Sequence, residues 1–275
     1  MTGFVEVGDR VHVFRHPVFD VNVTLVVGDD AAVLVDTLSS AAQAAELAQA
    51  VRKVTGRPWS LVNTHHHFDH CFGNAVLAGD PPCPIYAHEE TAAYLRSEPE
   101  AVRRQAYEDV LPTHPAVADE LADTPILAPS HPVHHRLTLD LGGRSVELRH
   151  PGRGHTAGDL VVHVPDADVL VAGDLVEESG PPSFGDSYPL EWPPTVAEVV
   201  QLSTPGTVVV PGHGAVVDMD FVRAQHDDLA ALAWLIRDGH ADGAPPERVA
   251  QRAPFGAVAA LPAVRRGYLE LSNSA

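Results

Sequence analysis

Between residues 65 and 70 the chain reads His-His-His-Phe-Asp-His, directly after an apolar stretch at 59–63 with the composition of a short buried strand. Four side chains able to ligate a metal, His65, His67, Asp69 and His70, fall within those six residues. The carboxyl end of a strand is where α/β proteins place their ligands. In an extended segment residues 65, 67 and 69 project to one side, because side chains alternate with period two. A turn after Asp69 then brings His70 to a second position nearby. A catalytic zinc ion usually takes three protein ligands and a water. Four candidates in one loop therefore favour two ions over one.

Three later segments repeat the arrangement of strand end, small residue and metal-capable side chain. They are Gly154-His155-Thr156, Ala172-Gly173-Asp174 and Pro211-Gly212-His213-Gly214. Glycine beside a ligand lets backbones approach closely. Each piece alone reads as an ordinary turn or a satisfied core histidine; four strand ends in one chain presenting ligands do not. His66, between ligands, is expected to face away. Cys71 is expected to be a small buried residue. His131, His134 and His135 read as surface residues.

The remaining pattern supplies the architecture. Alternation predicts strands over 5–14, 21–27 and 32–36, with a hairpin signal at Gly28-Asp29-Asp30. An alanine-rich helix over 39–54 has Ser39 or Ser40 as its cap. A strand at 85–87 and a helix near 89–96 follow. Residues 99–133 carry six prolines among helical patches and read as a helical insertion or lid over the site. Strands resume at 136–141, 145–149, 160–164, 169–172 and 207–210, with helices at 196–202 and 221–237. Residues 177–194 form a Pro/Gly-rich loop whose Phe184, Tyr188 and Trp192 are candidate substrate contacts. Paired strands interleaved with helices imply mixed sheets flanked by helices. The expectation is a single domain over 1–275 with a helical C-terminal tail at 219–275. Neither G-x-G-x-x-G after a strand nor G-x-x-x-x-G-K-[ST] is present, so no nucleotide-binding motif competes.

Composition excludes several partners. With 18 Lys+Arg against 37 Asp+Glu the net charge is −19, which repels phosphate backbones and anionic membrane surfaces. No run of 18 apolar residues is present, and the N-terminus lacks a basic stretch followed by an apolar core. The two cysteines, Cys71 and Cys83, read as reduced thiols. These features predict a cytoplasmic protein whose partner is a small-molecule substrate, with no nucleic acid and no membrane. They carry no signal for an oligomeric state.

H-x-H-x-D-H at 65–70, then G-H-T, G-D and P-G-H-G, together resemble the metallo-β-lactamase-fold hydrolase superfamily over about residues 5–213. The resemblance implies a four-layer αβ/βα sandwich: two mixed β-sheets face each other, helices lie outside, and metals sit at one rim. It assigns His65, His67 and His155 to one metal, Asp69, His70 and His213 to a second, and Asp174 to a bridge between them. The antibiotic-hydrolysing branch commonly carries Cys or Ser where Asp174 stands. An aspartate there resembles the glyoxalase-II-like, lactonase and phosphodiesterase branches. The tail carries Arg265-Arg266 but no lysine, unlike the basic glutathione-binding cluster of glyoxalase II.

The implied activity is that of a dinuclear-zinc hydrolase, with iron or manganese as alternative metals. A hydroxide bridging two Zn2+ attacks the carbonyl of a small ester, thioester, lactone or amide. Asp69, the catalytic residue, orients it and passes its proton to the leaving group. Three other readings fit the same scaffold: a mononuclear non-haem iron oxidoreductase of the persulfide-dioxygenase type, a β-lactam hydrolase, and a binding protein with a structural metal. The complete set Asp69, His70 and His213 favours the hydrolase over the iron enzyme.

Overall fold

A computed structural model describes residues 3–273. The first sheet has seven strands in sequence order: β1 (Val5–Gly8), β2 (Val11–Arg15), β3 (Asn22–Val27), β4 (Ala32–Val35), β5 (Trp59–Val62), β6 (Ile85–His88) and β7 (His131–Val133). Neighbours are antiparallel from β1 to β4 and parallel from β4 to β7. The second sheet has five, in the order β12-β11-β10-β9-β8: β8 (Arg136–Asp140), β9 (Ser145–Arg149), β10 (Val161–Val164), β11 (Val169–Glu177) and β12 (Val208–His213). Only β11 and β12 are parallel. Both sheets are thus mixed, as the pairing of strand signals predicted.

The sheets face each other across an aliphatic core. Val13, Val33, Val35 and Val62 of the first sheet pack against Leu148, Val162, Val171 and Val210 of the second. Outside the first sheet lies α1 (Ala41–Val54), whose Ala44, Leu47 and Val51 meet Leu25, Leu34 and Leu61. Ser40 is its cap, accepting a hydrogen bond from Gln43 N. Outside the second sheet lie α7 (Trp192–Leu202), α8 (Met219–Ala241), α9 (Pro246–Ala250) and α10 (Ala257–Asn273), which bury Trp192, Val196, Leu232, Ile236, Val249 and Val264. The result is the four-layer αβ/βα sandwich. The interior strands β4 and β11 are buried along their whole length because both faces are covered; β4 and the first four residues of β11 read as unbroken apolar runs, and Asp174 and Glu177 are the buried carboxylates of β11. Arg144 joins the two sheets: its buried guanidinium donates to Asp9, Asp166 and the Val27 carbonyl.

Several sequence-based bounds need correction. The stretch 5–14 is two strands, because Arg10 turns at φ 53° between β1 and β2. Residues 99–133 are not wholly an insertion. They contain α5 (Pro99–Val110) and α6 (Pro115–Asp123), but their end is β7, which pairs with β6 inside the first sheet. The loop expected from 177 begins one residue later, since β11 runs on through Asp174 to Glu177. The short helices α2 (Phe68–Cys71), α3 (Asn74–Ala78) and α4 (Glu89–Ser97) complete the chain. No helix among the described residues is long and apolar enough to cross a membrane.

Candidate metal centre

All seven predicted ligands converge at one rim of the sandwich. His65 and His67 lie in the loop after β5, and His67 precedes α2 at its N-cap position. Asp69 and His70 are already helical, within α2, so the extended run expected through Asp69 ends at His67. The helical turn, rather than strand alternation, directs Asp69 and His70 to the second position. His155 sits in the loop between β9 and β10. Asp174 lies within β11, not after it, and His213 is the last residue of β12.

Two glycines allow this convergence. A Cβ on Gly212 would sit 1.8 Å from Asp174 Oδ1. Gly173 holds φ +54° with Thr64 Cβ 2.8 Å from where its own Cβ would be, and it coincides with a register shift between β11 and β12.

The nitrogens form two groups. His67 Nδ1 lies 3.1 Å from His65 Nε2 and 2.8 Å from His155 Nε2. His70 Nε2 lies 3.3 Å from His213 Nε2, which is 3.4 Å from Asp69 Oδ2. Asp174 spans them: its Oδ2 is 3.3 Å from both His155 Nε2 and His213 Nε2, and its Oδ1 is 3.1 Å from His70 Nε2. Despite that distance Asp174 Oδ1 is buried and accepts no hydrogen bond. Four groupings have ligand atoms close enough to hold an ion: His65/His67/His155/Asp174 and Asp69/His70/His213, and the overlapping sets His66/His67/Asp186 and Asp174/Glu177/His213.

The outer ring nitrogens explain why the inner ones face each other. His155 Nδ1 meets the Ser183 carbonyl at 3.2 Å and His213 Nδ1 the Phe19 carbonyl at 2.7 Å. His70 Nδ1 meets Asp36 Oδ2 at 2.8 Å, and His67 Nε2 meets Asp186 Oδ1 at 3.1 Å. His65 Nδ1 meets Thr64 Oγ1 at 3.0 Å, a hydroxyl whose own proton goes to Asp36 Oδ2. Carbonyls and carboxylates only accept, so each outer nitrogen carries the hydrogen. In a neutral imidazole the inner nitrogen is then a bare lone pair. Five lone pairs and two carboxylates gathered in a buried space require positive charge among them, which metal ions or protons can supply.

Titration properties follow from the same geometry. Burial pushes His155 down to about 4, and burial with the neighbouring His70 holds His65 well below its usual range. Burial also lowers His213, but Asp174, Asp69 and Glu177 outweigh it and push the ring up to about 10. His70 is likewise raised, against burial, by Asp174, Asp69 and Asp36. Both shifts favour a proton on these two rings.

Other expectations fare differently. His66 does not face away: its Nε2 meets Asp186 Oδ2 at 3.0 Å, and its ring lines the cleft beside Tyr94. Cys71 is buried and its thiol donates to the His66 and His67 carbonyls. The aromatic trio is not a substrate wall. Phe184 and Trp192 belong to the core under α7, because their large apolar faces fill space between β11 and the helices. Tyr188 is covered by the guanidinium of Arg153 at 4.3 Å. The cleft above the metal groupings, about 720 Å³, is walled instead by Phe19, Phe68, Phe72 and Tyr94, with Val102 and Ala106 from α5. Asp36, Asp186 and Glu177 were missed. Asp36 and Glu177 also end buried apolar strands, the same signal that located the ligands. Asp186 has no such signal.

The model of the family described as the Metallo-beta-lactamase superfamily matches residues 16–214. Among curated proteins, Metallo-beta-lactamase type 2 of Bacillus cereus is 36% identical over 83 residues, 29% of this chain and 32% of that protein. The same-named protein of Bacteroides fragilis is 30% identical over 89 residues, 31% and 36% of the two chains. The chain thus matches about a third of the length of these relatives. Among solved structures, a metallo-beta-lactamase from Pontibacter korlensis superposes with a TM-score of 0.67 at 21% identity, covering 84% of this chain and 99% of that one. The DIM-1 metallo-beta-lactamase gives 0.64 at 20% identity, covering 82% and 95%. Likeness at this level of identity shows the fold.

Proposed function

The chain belongs to the metallo-beta-lactamase superfamily, and from that premise we propose that it is a dinuclear-zinc hydrolase of small acyl substrates: esters, thioesters, lactones or amides. His65, His67 and His155 would hold one ion and Asp69, His70 and His213 the other, with Asp174, whose oxygens lie 3.1–3.3 Å from nitrogens of both groups, available to either. The observation that carries this reading is the set of five inward ring nitrogens, each fixed as an acceptor by an outer partner. Ions bound there would supply Lewis acidity toward the carbonyl oxygen and would lower the pKa of a water to about 7.

The chain's own groups do the rest. Asp69 lines the cleft and lies 3.4 Å from His213 Nε2 and 3.7 Å from His70 Nε2. It orients the attacking water, accepts its proton and returns that proton to the leaving oxygen, sulfur or nitrogen as the carbonyl–heteroatom bond breaks. The aromatic walls exclude bulk water from the acyl portion. Metal analysis of the purified protein, paired with thioester, lactone, β-lactam and phosphodiester substrates, tests the reading. Two zinc per chain with acyl turnover supports it; one iron with oxygen consumption overturns it. β-Lactam hydrolysis is a second reading, favoured by the names of the curated relatives.

Metal uptake should be linked to pH. Ligating histidines must be neutral, whereas His213 is pushed up to about 10 and His70 is raised in the same direction by the same carboxylates. Loading their half of the centre is expected to release protons. Its affinity should therefore rise with pH until His213 itself titrates. Calorimetry in two buffers of different protonation enthalpy reads this directly, and equal heats in both would refute it.

Asp186 is assigned the role of holding His67. Asp186→Ala is expected to weaken zinc binding by about 10–100-fold, measured by competition with a chromophoric chelator. An unchanged affinity would remove Asp186 from the centre.

A further inference from the structure

The charge of the cleft points to the class of acyl compound it admits. Two walls rise from the base that holds Asp69, Asp174 and His213. One is apolar: Phe19 and Phe68 meet edge to face at 5.5 Å, Phe72 lies behind Phe68, and Val102 and Ala106 of α5 continue the surface. The helix presents residues 102, 105, 106 and 109 to the cleft, spacings of three and four that place them on one face. Its polar contributions there are Gln105 and the Asp109 carboxylate, which accepts from the Gln105 amide at 2.9 Å. The loop after β11 also lines the cleft and contributes Asp186, whose side chain is 44% exposed.

Among the described residues lining the cleft there is neither a lysine nor an arginine. The cations nearest in sequence lie off the cleft. Arg103 and Arg104 are outside the cleft face of α5, Arg103 pairing with Glu100 and Arg104 standing nearly opposite the 102/105/106/109 stripe. Arg153 pairs with Glu191, and Arg266 donates to the Ser187 and Gly185 carbonyls on the loop's own backbone. An anionic substrate tail would thus meet two exposed carboxylates, Asp109 and Asp186, with no side-chain cation to neutralise it. Like charges juxtaposed this way act against a partner as effectively as attraction acts for one.

We propose that the cleft selects acyl substrates whose non-reacting portion is apolar and uncharged or cationic, and rejects those carrying a carboxylate there. This rests on the hydrolase reading above. It sets the chain apart from any enzyme of the fold that anchors its substrate through a carboxylate. Carboxylate-bearing β-lactams and glutathione thioesters are accordingly expected to be poor substrates.

The test compares matched nitrophenyl esters on the zinc-loaded protein: the hexanoate, the adipate monoester with a terminal carboxylate, and an analogue with a terminal trimethylammonium. The neutral and cationic esters are expected to exceed the carboxylate in kcat/KM by about tenfold at low ionic strength, the gap narrowing with added salt. Asp109→Lys should close much of that gap. Equal kcat/KM for hexanoate and adipate monoester would overturn the proposal. Binding of hexanamide against its terminal carboxylate analogue, adipamic acid, followed by NMR titration, reads the preference without turnover. If no ester is hydrolysed, the hydrolase reading falls; preferential binding of the neutral amide then still supports the charge selection. Parity, preference for the carboxylate, or binding of neither amide overturns it.

Discussion

Replacing Asp69 with alanine is expected to lower kcat by about 10²–10⁴-fold, the usual range for losing a positioned proton-transfer group. The side chain lies on α2 between the cleft and the second nitrogen grouping, with His70 and His213 on its inner side. In the proposed mechanism it serves both as a ligand of that grouping and as the carboxylate facing the reacting carbonyl. Asp69→Asn separates the roles. It keeps an oxygen toward the metals but cannot take a proton. Zinc content near that of the parent with a large fall in kcat would assign the loss to proton transfer. Near-normal turnover in either variant, at retained melting temperature, would sink the mechanism.

The second large effect is expected at Asp36, which touches no substrate. It is 2% exposed, just after β4, at φ +66°. Its carboxylate accepts from Thr64 N, Thr64 Oγ1 and His70 Nδ1, each at 2.8 Å. Burial raises this carboxyl's pKa. Three donors aimed at its two oxygens nevertheless hold it as the anion, since a proton there would face another proton. Asp36→Ala leaves all three donors buried and unpaired, and breaking a buried pair in this way costs about 3–5 kcal/mol. It also frees the rings of His65, through Thr64, and of His70. We expect a large fall in melting temperature and weaker zinc binding. Asp36→Asn preserves shape and gives a measurable variant if the alanine form does not fold; its amide can accept through one oxygen only, so zinc affinity should still fall by about 10–100-fold. Parent-like stability and affinity in both would show that Asp36 does not orient the ligands.

The convergence of the seven candidate ligands was legible because each obeys a local rule. His65, His67, Asp69 and His70 are neighbours in sequence. His155 and His213 stand beside glycines that clear space for a close approach, and Asp174 follows one. The layered fold was legible for a similar reason: β4 and residues 169–172 of β11, covered on both faces, are apolar runs, while α1 shows its buried stripe at helical spacing. The aromatic trio went wrong because composition cannot tell a core face from a pocket wall. Phe184 and Trp192 lie in a loop and at a helix start, yet both are buried against α8 and its neighbours. The cleft took its aromatics from Phe19, Phe68 and Phe72 instead.

By itself, then, the chain's sequence determined the donor atoms of the centre and the layers that carry them, since both follow from residue type, period and position at strand ends. The tertiary structure alone decided what those donors face. The partner that fixes His70 is 34 residues away in sequence, that of His67 is 119, and that of His213 is 194. No local spacing encodes such contacts. They exist only once two sheets have packed, and it is they that turn each imidazole's lone pair inward; the same packing brings Asp109 and Asp186 to one cleft whose described lining holds no lysine or arginine.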